Sequence, residues 1–230
     1  MIRGSEIHDL VALFRKRKIV LYHACQFKDF EAYLKLGGVP SRAVLEKAQA
    51  QYTAFVTDKS DHVNQVWDKV FLNLSDFGRW FGEAAGNMPN PFGPILLIIK
   101  PNALASALNV AVCLRSAGAK GFNREKEALP LDHVERLFCH PANAGTPQST
   151  YVKFSEELQK EFHTSQARSP EISCTYPNGI LPLEFVSKIL VDPYTIGDQA
   201  LVYLVQQTVN QANAMLKGKI RKRSVNEARR

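Results

Sequence analysis

Apolar and polar residues follow two periods along this chain, one helical and one extended. Residues 7–17 mix apolar and charged positions as an amphipathic helix does, and residues 18–23, KIVLYH, form a β-branched and aromatic run that predicts a first buried strand. From Phe27 to Leu36 the positions Phe27, Phe30, Tyr33 and Leu34 share a helical face, and Gly37-Gly38 supplies a glycine stop. Val39-Pro40-Ser41-Arg42 opens a helix-prone segment that runs through Lys47, whereas residues 58–61 read as a loop.

Residues 70–75, VFLNLS, alternate as a strand, ahead of an aromatic-rich stretch at 77–81 and a Pro/Gly/Asn loop at 86–94. The continuous branched run Ile95–Ile99 predicts a strand buried on both faces, closed by Pro101. Residues 104–114 are apolar with small side chains, and residues 116–125 have the glycine content of a shaped loop suited to ligand contact. Turn-like compositions at 141–148 and 164–170 flank a helical segment at 155–162. Glu171 opens a short alternating strand, residues 177–180 form a turn, residues 186–191 a last strand, and residues 198–216 a C-terminal helix. With no repeat or interdomain linker in 230 residues, one domain spanning 1–230 is expected, with a basic tail at 217–230.

Hydrophobic residues at 45% and charged residues at 22% give the balance of a globular chain. No apolar run nears the roughly 20 residues that cross a bilayer, so no membrane partner is expected. The N-terminus lacks the apolar segment and cleavage site of a signal peptide. Cys25, Cys113, Cys139 and Cys174 lie far apart without a CxxC pair, which speaks against a metal site and for free thiols in the cytosol. The formal charge of +7 favours an anionic partner. Part of it comes from the tail, where Lys217, Lys219, Arg221, Lys222, Arg223, Arg229 and Arg230 follow a helix; without those seven cations the formal charge would fall to zero, and the fold proper would need a local patch to bind nucleic acid.

The common phosphate-loop, dinucleotide, zinc-protease and serine-hydrolase signatures are absent. What stands out is a first strand ending in Tyr22-His23, a middle strand followed by Arg79, and a late strand opened by Ser169-Pro170-Glu171. Three blocks, LYHACQFKDFEAYLKLGGVPSR at 21–42, RSAGAKGFNRE at 115–125 and SPEISCTYPNGILPLEFVSKILV at 169–191, make up about one quarter of the chain. In order and spacing they resemble the DarT-type DNA ADP-ribosyltransferase toxins.

That resemblance implies an α+β fold, an ADP-ribosyltransferase-like split β-sheet core with a central NAD cleft and surrounding helices. It also implies NAD⁺ as co-substrate, no metal, single-stranded DNA as the acceptor and a macrodomain antitoxin as partner. Glu171 would be the catalytic carboxylate, because breaking the bond between nicotinamide and ribose develops positive charge that a fixed carboxylate stabilises more in the transition state than in the ground state. Taken alone, Glu171 would read as an exposed carboxylate at a strand start. Its place in the third block gives it the catalytic role.

Tyr22 and His23 would meet nicotinamide and ribose, and each reads equally well as a core residue. An arginine would fork onto the NAD⁺ phosphates. Arg79 takes that role, with Arg42 in reserve, although the segment Asn73 to Arg79 lacks the proline-flanked arginine of the family pattern. Ser41, Arg42, Asn73 and Ser75 complete the expected cofactor contacts. Lys120, Phe122, Asn123, Arg124, Tyr151, Lys153 and Arg168 would frame the target base, with cations for phosphate and aromatic faces for stacking. The departure at Arg79 tilts the target toward guanine over thymine and keeps RNA or protein acceptors open. A non-enzymatic nucleic-acid-binding protein is the remaining alternative.

Overall fold

The computed structural model describes residues 1–55, 57–74, 76, 92–138 and 170–223. A two-residue strand β1 (Ile2–Arg3) leads into α1 (Ser5–Lys16), whose Ile7, Leu10, Val11 and Phe14 are buried. Lys18 then adopts a left-handed φ of 55°, and the Ile19 N–H returns to the Phe14 carbonyl at 2.9 Å. This helix stop consumes residues that look strand-like in the sequence, so β2 is Leu21–Cys25 rather than 18–23.

The next elements follow the pattern of the sequence. α2 (Phe27–Leu36) ends at Gly37, which takes φ 77° as a left-handed cap. β3 (Gly38–Pro40) pairs with β8 (Ile180–Pro182), and Ser41 caps α3 (Arg42–Lys47), its side chain accepting the Val44 N–H at 3.4 Å. The expected loop at 58–61 is instead a helix, α4 (Asp58–Val63). It buries none of its own residues, so no apolar stripe announces it. It is stabilised locally, since Asp58 accepts the Phe55 N–H at 3.0 Å and Asp58 and Asp61 place negative charge in the first turn, at the positive end of the helix dipole.

β4 (Val70–Asn73), β5 (Ile95–Ile99), β6 (Asn109–Cys113), β7 (Glu171–Thr175), β9 (Val186–Val191) and β12 (Ile220–Lys222) join β1 and β2 in one sheet, ordered β1-β6-β7-β4-β2-β5-β9-β12 among the described residues. Two short helices, α5 (Arg124–Glu127) and α6 (Leu131–Arg136), follow β6. Near the end, a hairpin of β10 (Thr195–Ile196) and β11 (Gln199–Ala200) turns at Gly197 before α7 (Leu201–Ala212), so the C-terminal helix begins later than residue 198. The basic stretch is partly built into the sheet: β12 runs parallel to β9 as an edge strand. Arg223, 3% exposed, places its guanidinium 3.0 Å from Asp76 and 3.3 Å from Asp192. Residues 224–230 lie outside the described residues, as do the predicted segments at 77–81 and 155–162.

The sheet is nearly divided at its centre. β2 pairs with β5 at five positions and β4 with β7 at four, but β2 and β4 share the single register pair Tyr22↔Asn73. Main-chain pairing is lost beyond it and the strands part. This is the split α+β core, with helices around it. Buried Leu21, Leu72, Leu97, Ile99, Ile172 and Ile189 form its central core with Phe14 and Phe30 from α1 and α2. Among the described residues, no helix is long and apolar enough to cross a membrane.

Candidate functional site

The ring of His23 stands in the gap between β2 and β4. Its Nδ1 lies 2.8 Å from the Phe71 carbonyl oxygen and its Nε2 3.1 Å from the Tyr33 hydroxyl. A carbonyl can only accept, so Nδ1 carries the proton, and Nε2 accepts from Tyr33. Burial holds the ring's pKa below the ordinary histidine value, against the Phe71 hydrogen bond and the charge of Asp29, so the imidazole is neutral. Both ring nitrogens are thereby committed to fixing the wall of the cleft.

Glu171, the first residue of β7, stands directly opposite Asn73 on β4 and Cys113 on β6. Its Oε1 accepts the Ala117 N–H at 2.7 Å and its Oε2 the Ser116 hydroxyl at 3.4 Å. Burial is the main reason its pKa is raised to about 7; the charge of Asp61 adds to the rise, while the bonds from Ala117 and Ser116 oppose it. A carboxylate held by its neighbours and costly to desolvate is poised to interact with positive charge that develops beside it.

His23 and Glu171 line one cleft of about 260 Å³. Its walls combine Tyr33, Phe55, Phe71 and Phe92 with the cations Arg42 and Lys69. The Arg42 guanidinium sits 5.0 Å from the Tyr52 ring centroid and 4.8 Å from that of Phe55, and 4.0 Å from Asp58. Cation–π contact and ion pairing hold it in place. The buried Oδ1 of Asn73 has no hydrogen-bond partner among the described residues, leaving an acceptor beside Glu171 for a ligand donor. Flat aromatic faces, two cations and a row of acceptors suit a nucleotide with a cationic ring.

Of the residues singled out from the sequence, His23, Arg42, Asn73 and Glu171 meet on this cleft. Ser41 is buried and caps α3. Tyr22 does not line the cleft; burial raises its pKa, and it lies within the electrostatic reach of Asp76 and Arg223. Lys120 and Asn123 are exposed, and Asn123 caps α5 through its bond from the Lys126 N–H at 3.1 Å. Phe122 is buried in a satellite cluster with Cys113 and Ala117. Arg124 is buried as an internal strut, donating to the Ser173 hydroxyl at 2.7 Å and to the Ser173 carbonyl and Asn109 side chain at 2.8 Å each. Ser75, Arg79, Tyr151, Lys153 and Arg168 lie outside the described residues.

Sequence reasoning missed Asp29, Phe55, Thr57, Asp61, Lys69 and Phe92, all of which line the cleft. No periodic signal marks them: Asp29 is a polar residue within α2, and the others come from loops and from a helix that looked like a loop. The glycine-containing segment after Arg115 did point there: Ser116, Ala117 and Gly118 form part of the lining.

No protein-family model and no curated protein matches the chain. Solved structures do resemble it. Thermus sp. 2.9 DarT in complex with ADP-ribosylated ssDNA superposes with a TM-score of 0.53 at 12% identity, covering 89% of this chain and 94% of the other. The same protein in complex with NAD⁺ gives 0.51 at 12% identity, with 89% and 95% covered. The chain shares the fold of those DarT structures over most of both lengths.

Proposed function

We propose that the protein is an NAD⁺-dependent mono-ADP-ribosyltransferase that modifies a base of single-stranded DNA, with Glu171 as the catalytic carboxylate. The observation that carries this reading is that Glu171 and His23 line the same cleft, in a fold shared with a DarT solved with NAD⁺ and with ADP-ribosylated ssDNA.

Each wall of the cleft has a task in such a reaction. Tyr33, Phe55, Phe71 and Phe92 offer apolar faces to nicotinamide or to an unstacked base. The Asn73 acceptor suits an amide or hydroxyl donor of the dinucleotide, and Arg42, with Lys69, suits its phosphates. Arg79 stays an alternative for that role. Cleavage of the glycosidic bond sends its electron pair to nicotinamide and leaves positive charge on the ribose. Glu171, as a carboxylate fixed by Ala117 and Ser116, stabilises that charge, and a nitrogen of the base then forms the new bond to C1′.

Guanine is the first acceptor to test, ahead of thymine, on the departure of the Asn73 to Arg79 segment from the family pattern. Lys120, Asn123, Tyr151, Lys153 and Arg168 are the proposed DNA contacts. The three sequence blocks further support a cytoplasmic toxin whose mark a macrodomain antitoxin would reverse. Incubation with NAD⁺ and oligonucleotides that each lack one base tests the reading by mass spectrometry. The expected product is DNA carrying one ADP-ribose, lost only from the oligonucleotide without the target base. NAD⁺ and DNA both left intact would refute it.

A further inference from the structure

Besides Glu171 and Asp29, whose carboxylate accepts the Thr53 N–H at 2.7 Å, the cleft holds a third carboxylate on the other side of the loop that grips Glu171. Asp61 projects from α4 and lines the cleft. Ala117 donates its N–H to Glu171, and the next residue, Gly118, lies against α4: a Cβ at Gly118 would stand 3.6 Å from Oδ1 of Asp61 and would clash with the methyl group of Thr57. The segment 116–118 therefore has Glu171 on one flank and Asp61 on the other, close enough for the charge of Asp61 to be felt at Glu171. Glycine at 118 allows this close approach.

The two carboxylates have different surroundings. Glu171 is gripped at both oxygens by the loop. Asp61 bonds with Thr57 and lies in the field of Asp58, which disfavours its charge, and of Arg42 and His62, which favour it; burial is the largest influence and raises its pKa to about 6. In the free protein Glu171 holds a proton more tightly than Asp61, about 7 against about 6, and a cation developing opposite Glu171 inverts that order by favouring its charged form. A group that must stay anionic opposite a developing cation is poorly placed to accept a proton at the same moment.

Resting on the function proposed above, we infer that Asp61 is the general base of the transfer, taking the proton from the attacking base nitrogen while Glu171 remains charged opposite the ribose. The step balances: the bond from C1′ to nicotinamide breaks with its electrons leaving on nicotinamide, the lone pair of the base nitrogen forms the new bond to C1′, and the N–H proton passes to the Asp61 carboxylate and then to solvent.

The test measures two products from one reaction, ADP-ribosylated oligonucleotide and free ADP-ribose from hydrolysis of NAD⁺, in the wild-type protein and in Asp61→Asn, Asp61→Ser and Asp61→Glu. General-base loss lowers transfer by about 10²-fold or more. Hydrolysis, which depends chiefly on Glu171, falls less, so the ratio of hydrolysis to transfer rises in both Asp61→Asn and Asp61→Ser. Asp61→Glu recovers part of the transfer. Asp61→Ser retains a partner for Thr57 and keeps the test alive if Asp61→Asn fails to fold. A parallel fall of both products would reduce Asp61 to a wall of the cleft and overturn the assignment, as would full transfer by Asp61→Asn. A wild-type protein that leaves NAD⁺ and DNA untouched would remove the underlying function as well, and the two failures are thus told apart.

Discussion

His23 spans the division of the sheet: its Nδ1 lies 2.8 Å from the carbonyl of Phe71, one strand away, where main-chain pairing between β2 and β4 has already ended. A side chain stands where a further ladder bond would be, and the cleft opens beside it. Substituting His23→Phe leaves the Phe71 carbonyl and the Tyr33 hydroxyl without this partner. Each such loss costs about 1–3 kcal/mol when the group stays buried, so a clear fall in the urea midpoint is expected. Retention of wild-type stability would show that the ring is not a strut. The same ring has its folded pKa below the unfolded value, so its contribution is full above about 6.5 and declines as pH falls. His23→Phe should flatten that acid-side loss.

Glu171 behaves in the opposite sense. Its folded pKa of about 7 exceeds its ordinary value of 4.5, so burial of this carboxyl favours folding at low pH and the benefit disappears as pH rises through 7. Glu171→Gln should therefore raise the unfolding midpoint at pH 8 relative to wild type, and less or not at all at pH 4. Transfer activity should fall by about 10²–10³-fold, the scale for loss of one preorganised electrostatic partner. In the wild-type protein activity should climb between pH 6 and 8. An active Glu171→Gln protein would exclude the carboxylate mechanism.

How far the sequence reveals this arrangement depends on the range of the interactions involved. α2 is legible because its stop is local, a glycine at 37 able to take φ 77°. β5 is legible because five branched apolar residues in a row suit a strand covered on both faces. β6 is hidden, since Asn109–Cys113 continues a small-residue apolar stretch with no boundary of its own. α4 is hidden because it buries none of its residues, and with it went Asp61. Glu171 and His23 were found through the motif blocks, but Phe55, Lys69 and Phe92 reach the cleft only through tertiary folding, which no local pattern records.

Arg42 is aimed by its surroundings, between the rings of Tyr52 and Phe55 and beside Asp58. If it binds the phosphates of NAD⁺, Arg42→Ala should raise KM for NAD⁺ about tenfold or more, given about 1.5–3 kcal/mol for a charged hydrogen bond. Arg42→Lys keeps the charge but loses the planar fork and the stacking, so it should rescue only part. Steady-state NAD⁺ titrations decide the matter, and an unchanged KM would transfer the role to Lys69 or Arg79.

The last residue described, Arg223, joins the C-terminal edge strand to two distant aspartates, with Asp76 3.0 Å and Asp192 3.3 Å away. Asp192 titrates above its ordinary value, chiefly through burial and despite the opposing charge of Arg223, so the site depends on that cation. Arg223→Ala would remove the cation that these two partly buried carboxylates share. Breaking such a pair costs about 3–5 kcal/mol when fully buried; here both aspartates keep about a fifth of their side-chain exposure, so a loss of about 2–3 kcal/mol is expected by urea unfolding. Adding Asp192→Asn to Arg223→Ala should recover part of it by removing one charge. If Arg223→Ala alone proves neutral, β12 is held to the sheet by its main-chain ladder with β9, and the ion pairs contribute nothing measurable.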